Sequence, residues 1–536
     1  MWTPNRRDLL RLSAQGLAAA ALRGMAPEKT RIGVVTSSHP KLVKPSRPDD
    51  PLDYPRVRDM VWKAIDYARP RAGSLEAKIK PGAWVVVKPN IGSLPPRQQY
   101  THGDVTDMRI TRAVMEYVAR KSRAGRITLA EGGTYRRVSD PEPTDNMKQN
   151  GNRVDGSNFD WTGEFPGFEG SIEGLVKDLA ARFPGRKFDY VDLSYDPLRD
   201  EAGQFKWIEV PAGANGAGAF GNKKLYCPAR TIVGCDFLIS CPVIKVHNQC
   251  GMTACLKNYV GTAPRSVYGS ARAFSNNKLH QEYSVEGRID PFITDLAAFH
   301  PPDYCVADNL MGLQFSEHSI EREGQQVRNS AILACEDPVA LDAFAARLIG
   351  YQPGDIDYLH MATLRGMGSM DLDRVEIAGD DPERLRRKWS KPRNWYGRCN
   401  REWRVTADAA ASMETWQRLT ARGDTLHLAA WKPAAAEDAA YRAAVRVMAS
   451  GSRKGFLWVG ARGRVAATLN GQKVLEEEGA TRYRIGQFQA PVELRPGENL
   501  LVFEVKSLGG VADLSALVTG PDNDGDSLEG IRWAAS

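Results

Sequence analysis

The chain has 536 residues, 42% of them hydrophobic and 26% charged, with a formal net charge of +7. That length exceeds one ordinary core, so two or more domains are expected, and the composition excludes a disordered chain. Four of the surplus cations, Arg6, Arg7, Arg11 and Arg23, crowd into residues 1–25 against Asp8 alone; the remaining body is mildly basic, without a Lys/Arg block interleaved with aromatics, which argues against a nucleic-acid partner.

Residues 1–29 read as a targeting segment: an arginine pair, then a short apolar stretch from Leu9 to Leu22 broken by Arg11. The hexamer "NRRDLL" resembles a twin-arginine export signal. That resemblance implies the twin-arginine export machinery as a partner, a periplasmic or extracellular location and export in the folded state. The competing reading is an amphipathic N-terminal helix. No run of eighteen apolar residues follows, so no membrane span is expected in the mature chain.

From residue 30, short apolar runs alternate with helical patterns, the signature of an α/β domain with a mostly parallel sheet and flanking helices. "RIGVVTSSHP" and "WVVVKPN" are the first two strands. Asp107 is placed to cap a helix whose apolar face is Ile110, Val114, Tyr117 and Val118. "RITLAEGG" is a third strand, which completes a βαβ unit. Residues 136–225 are rich in Gly, Asp and Asn and read as a long insertion. Strands resume at "CDFLISCPVIKVH" and "DYCVADN". "SAILACEDPVALDAFAARLIG" reads as strand, Asp337 cap, Pro338 at the first helical position and Gly350 stop. The α/β domain is thus expected over 30–380 and a charged, aromatic linker over 381–404. A β-sandwich accessory domain of jelly-roll type is expected over 405–536, with an Asn-Gly hairpin in "LNGQKV". Its strand pattern resembles galactose-binding-type domains, which implies carbohydrate as a partner.

In open α/β sheets ligands bind beyond the carboxyl ends of the strands. Those positions here offer Lys88 and Asn90, Glu131, Lys245 and His247, Asp308, and Asp337. "VVVKPNIG", "RITLAEGG", "CDFLISCPVIKVHNQCGMTACLKNYVG" and "EDPVALDAFAARLIG", in that order, resemble domain-of-unknown-function family 362 over about residues 30–380. The most specific stretch is Lys245, His247, Gly251, Thr253, Lys257 and Asn258. The resemblance implies a fold and a site more than a reaction. Some relatives carry a ferredoxin-like segment with cysteine-rich cluster motifs, and no such segment is visible here.

Within "CPVIKVHNQCGMTACLKNYVG", Lys245 and His247 are two apart and face one side of an extended chain. "GMTACLKN" reads as a helix start, with Gly251 and Thr253 near its N-terminus and Lys257 on the Thr253 face. The expected reading is an enzyme for a small anionic substrate, a carboxylate or phosphate. Lys245, His247, Lys257 and Glu131 are its catalytic candidates, and Lys88, Asn90, Thr253, Asn258, Asp308 and Asp337 its binding candidates. Loose similarity to the Lys/His crevice of nickel-cofactor racemases implies isomerase-like chemistry. A rival reading is a non-enzymatic metal or redox protein that uses His247 and Cys250, and a third is a surface carbohydrate-binding protein. The cysteine spacing fits no standard zinc or iron–sulfur pattern. A Cys250–Cys255 disulfide and simple folding roles for the lysines are the remaining alternatives.

Overall fold

The structure is a computed structural model that describes residues 29–92, 103–132, 149–150, 153–154, 172–269, 278–317, 323–433, 438–479 and 482–534. The twin-arginine-like segment and most of the first half of the expected insertion lie outside the described residues.

The N-terminal domain is built on one eight-stranded sheet. Its strands are β1 (Thr30–Thr36), β2 (Trp84–Pro89), β3 (Arg126–Glu131), β4 (Lys187–Asp192), β5 (Phe237–Cys241), β8 (Tyr304–Leu313), β9 (Gln326–Cys335) and β10 (Val375–Gly379). Between β5 and β8 the short strands β6 (Lys245–His247) and β7 (Gly251–Thr253) pair only with each other. The sheet order is β10-β1-β9-β8-β5-β2-β3-β4. The expected mostly parallel sheet is a mixed one: β9 runs antiparallel to both β1 and β8, and every other ladder is parallel. Part of the expected insertion belongs to this sheet, because the helix Ile172–Arg182 crosses from β3 to β4, which forms an edge strand.

Apolar runs such as "WVVV" bury both faces of a strand, as a sheet covered on both sides requires. Val85 and Val87 enter one core with Val57, Val114 and Leu175, whereas Val86 enters the other with Phe292, Leu341 and Leu359. Helices flank both faces. The helix Tyr54–Tyr67 is capped by Asp53, and Met108–Lys121 by Asp107, whose carboxylate accepts from the Arg109 N–H. On the opposite face lie Asp290–Ala298, Pro338–Leu348 and Asp357–Arg365, the last stopped by Gly366 in the left-handed region at φ +80°. All eight cysteines are buried free thiols, Cys250 and Cys255 included.

From Glu402 onward the chain forms two antiparallel sheets, of seven and four strands. Alternating residues of Ala440–Ala449 (Tyr441, Ala443, Val445, Val447) share one core with Leu457, Val459 and Ala461 of the opposing sheet. This is a β-sandwich. Asn470 and Gly471 make the tight turn between Arg464–Leu469 and Gln472–Glu477, both with positive φ (+52° and +84°). The two domains are joined by polar contacts: Ser527 N–H donates to Asp355 at 2.9 Å, Trp395 Nε1 to Asp526 at 2.8 Å, and Glu286 accepts from Asp424 N–H at 3.0 Å.

Candidate functional site

β2 and β3 lie side by side, so the residues that end them meet. Lys88 Nζ is 2.9 Å from both carboxylate oxygens of Glu131, and both side chains are about 1% exposed. Glu131 also accepts from Ile91 N–H and Gly132 N–H, each at 2.8 Å. The ammonium further donates to Asn258 Oδ1 at 2.9 Å. Asn258 in turn donates to the Lys88 carbonyl and to Ser240 Oγ, both at 3.0 Å, and its Oδ1 lies 3.4 Å from Asn90 Nδ2. Burial pushes the Lys88 ammonium below its usual range, and Glu131 opposes the shift. The fit requires glycine at 261, where a Cβ would come 2.3 Å from Glu131 Oε1 and 2.9 Å from Lys88 Nζ.

The segment expected to start a helix is instead the hairpin β6–β7, with Lys245 opposite Thr253 and His247 opposite Gly251. Gly251 has φ +81°, a helix-incompatible conformation, and an added Cβ would strike Ile356 at 2.5 Å and Trp395 at 2.9 Å. Thr253 therefore faces Lys245 across the hairpin rather than sharing a helix face with Lys257. Lys257 opens a 3₁₀ turn, Lys257–Thr262. The two residues before it are held by Asp342, which accepts from Cys255 N–H at 2.7 Å and Leu256 N–H at 3.0 Å.

Most basic side chains of the cluster face a carboxylate. Lys88 has Glu131, and Lys245 has Asp104 at 2.9 Å. His247 Nδ1 accepts from Gln249 N–H at 3.2 Å, which leaves Nε2 facing Glu317 at 3.7 Å. Lys257 is the exception: among the described residues its Nζ has no hydrogen bond or ion pair, although the residue is only 9% exposed. Burial lowers its pKa, and the charges of Lys245 and Lys88 lower it further, against the pull of Cys250 and Glu317. His280 lies within the electrostatic reach of Lys257; burial and that charge bring its imidazole down to about 4, so it is neutral near pH 7. The hydroxyl of Thr253 and Oδ1 of Asn90 are also buried without a hydrogen-bond partner.

Residues 199–347 match the family model described as a domain of unknown function (DUF362). The matched segment holds Lys245, His247, Thr253, Lys257, Asn258, Asp308, Asp337 and Asp342, whereas Lys88 and Glu131 lie before it. No curated protein matches the chain. Among solved structures, a β-glucosidase from Kluyveromyces marxianus in complex with glucose aligns at 11% identity and TM-score 0.18, covering 23% of this chain and 16% of that one. A family 35 carbohydrate binding module from an environmental isolate aligns at 17% identity and TM-score 0.14, covering 19% and 74%. The PA14 sugar-binding domain from an RTX adhesin aligns at 21% identity and TM-score 0.14, covering 16% and 46%. Likenesses at these scores carry no argument about ligand or activity.

Two of the expected site residues serve the scaffold. Asp337 caps the helix Pro338–Leu348, accepting from Val339 and Ala340 N–H at 2.9 Å and from Ser369 N–H at 3.1 Å. Asp308 accepts from Asp107 N–H at 2.8 Å and Leu310 N–H at 2.9 Å, and burial raises its carboxyl to about 7. As metal ligands, His247 and Cys250 lack company: no group of three or more His, Cys, Asp or Glu among the described residues is arranged to hold an ion. Cys250 Sγ contacts the Met252 carbonyl at 3.5 Å, and burial pushes its thiol well above the ordinary value. Sequence reasoning passed over Asp104, His280, Glu317 and Asp342. Only Asp342 left a signal, as a lone carboxylate inside the apolar run "VALDAFAA".

Proposed function

We propose that the α/β domain is an enzyme that binds a small carboxylate- or phosphate-bearing substrate beside Lys257 and moves protons on it, an isomerase-like activity. One observation carries this reading. Lys257 is a buried amine without an ion pair among the described residues, in a cluster where Lys88, Lys245 and His247 each face a carboxylate within 4 Å. Burying a lone cation costs several kcal/mol in roughly this kind of setting, so a fold that keeps one reserves it for a ligand. An arriving anion supplies the missing charge, and the buried Thr253 hydroxyl, without a hydrogen-bond partner, offers a donor. His280, held neutral near pH 7 by burial and the nearby Lys257 charge, has an imidazole nitrogen that can take up a proton, as a weak base. The arginine pair Arg6-Arg7 in "NRRDLL" supports export by the twin-arginine route as the cellular setting.

The test is ligand-induced thermal stabilisation and calorimetry with lactate, pyruvate, phosphate and sulfate, on wild type and Lys257→Met. At least one anion is expected to raise the melting temperature of wild type and to lose its effect in the variant. Equal binding by both proteins, or no response to any anion, overturns the proposal.

A further inference from the structure

The same site points to the substrate's reacting group; this step rests on the anion reading above. We propose that Lys257 is a covalent nucleophile that forms an imine with a carbonyl substrate carrying an adjacent carboxylate, a 2-oxo acid.

Three observations converge on it. The amine has no hydrogen bond or ion pair among the described residues, so its lone pair is not tied to a partner. Its place in space is fixed from behind, because Asp342, itself fully buried, clamps the amides of both preceding residues. It is also the least enclosed of the three lysines, at 9% exposure against 1% for Lys88 and 2% for Lys245. The half-buried Asn90, Asp104, His280 and Glu317 rank with it as the more open residues of the cluster. A lysine that only balanced charge would have a carboxylate within reach of its nitrogen, as Lys88 and Lys245 do. Desolvation and the charges of Lys245 and Lys88 both favour the unprotonated amine, the form that attacks a carbonyl.

The chemistry balances without an oxidant or reductant. The amine lone pair forms the new N–C bond while the C=O π pair moves to oxygen, which takes up a proton. The nitrogen loses a proton, the hydroxyl leaves with a second proton as one water, and a C=N bond replaces the C=O bond. The second proton comes from solvent, so the neutral amine becomes a positively charged iminium at the Lys257 position, and the neighbouring carboxylate of the substrate finds its counter-charge there. Loss of a proton from the adjacent carbon sends its electron pair to the iminium nitrogen. His280, as a neutral imidazole, is the acceptor for that proton. Return of the proton to the opposite face of that carbon, where it carries two different substituents, interconverts isomers.

Borohydride reduction tests the proposal on the full-length chain. Wild type is incubated with pyruvate or glyoxylate, reduced, digested and mapped by peptide mass spectrometry. A stable secondary-amine adduct is expected at Lys257, absent in Lys257→Arg and unchanged in Lys473→Arg, an exposed lysine of the β-sandwich. Thermal shift with the same two acids is run in parallel. A shift that depends on Lys257 without an adduct there refutes the nucleophile and leaves the anion site standing. No shift and no adduct refute both. An adduct spread over exposed lysines, with Lys257 not preferred, also refutes the nucleophile.

Discussion

Lys88→Met is the sharpest test of the buried charge cluster. The substitution keeps most of the apolar stem of the side chain and removes the ammonium. That ammonium makes 2.9 Å contacts with both oxygens of Glu131 and with Asn258 Oδ1, plus one of 3.1 Å with the Pro89 carbonyl. Its loss removes the counter-charge of the Glu131 carboxylate, about 1% exposed, which keeps the Ile91 and Gly132 amides. An orphaned buried charge of this kind costs about 3–5 kcal/mol. Glu131→Gln also orphans the lysine and places an amide group against a backbone N–H, so it is comparably costly. The double variant buries no unpaired charge and should lose less than the two single losses added together, by about 2 kcal/mol. Urea unfolding followed by tryptophan fluorescence, read on the transition of the α/β domain, measures all three. A cost for Lys88→Met below about 1 kcal/mol, or simple additivity in the cycle, would show that the pair is solvated and the site wet.

Lys257→Met should raise the melting temperature while abolishing anion binding, because it removes a buried cation with no partner; a lower melting temperature would refute that picture. Its pH signature has a definite sign. The folded-state pKa is depressed from 10.5, so the unfolded chain binds more protons below that value, and wild-type stability rises with pH toward 10.5. The variant should show a shallower rise in pH-dependent unfolding. Asp342→Asn is expected to cost about 1–3 kcal/mol, since one of two buried amides loses its acceptor, and to weaken binding at Lys257; chemical unfolding and calorimetry read the two effects. Gly261→Ala drives a methyl against Glu131 and Lys88 and should cost about 1–3 kcal/mol by the same unfolding assay. At the domain junction His427 sits between Asp513 at 2.8 Å and Glu286 at 3.2 Å, which raise its pKa to about 10. Its contribution is full below 6.5 and lost as pH rises through about 10, so limited proteolysis between the domains should quicken at alkaline pH, and His427→Ala should quicken it at pH 7.

The strand ends were legible because their chemistry follows an apolar run at once: "WVVVKPN" and "RITLAEGG" place Lys88 and Glu131 at the tips of neighbouring strands. Helix caps were legible for the same local reason, and Asp107 and Asp337 both cap as their sequence context requires. The hairpin β6–β7 was not. Its turn carries no Asn-Gly or Asp-Gly pair, its strands are three residues long, and "GMTACLKN" holds enough helix formers to suggest a helix start. What decides the hairpin is tertiary: Ile356 and Trp395, distant in sequence, close over Gly251. Asp104 and Glu317 come from irregular segments and His280 from a five-residue helical turn, so nothing local marks them as neighbours of Lys245, His247 and Lys257. The antiparallel β9 was hidden too, since a buried central strand reads the same in either direction.

The compensating carboxylates also explain why the site is assembled from so many places. Glu131 comes from β3, Asp104 from the segment before the Met108–Lys121 helix, Glu317 from the segment after β8, and Asp342 from a helix on one face of the sheet. Each fixes a different part of the Lys245–Asn258 stretch or the strand tip beside it. A purely structural cluster would gain by fewer charges, because buried ion pairs rarely outperform apolar packing of the same volume. The chain instead holds several paired charges around one unpaired amine, an arrangement that makes sense if the pairs aim Lys257 and its ligand completes it. Replacing the pairs should therefore damage stability and ligand binding together, whereas replacing Lys257 should separate them, with stability rising as binding disappears.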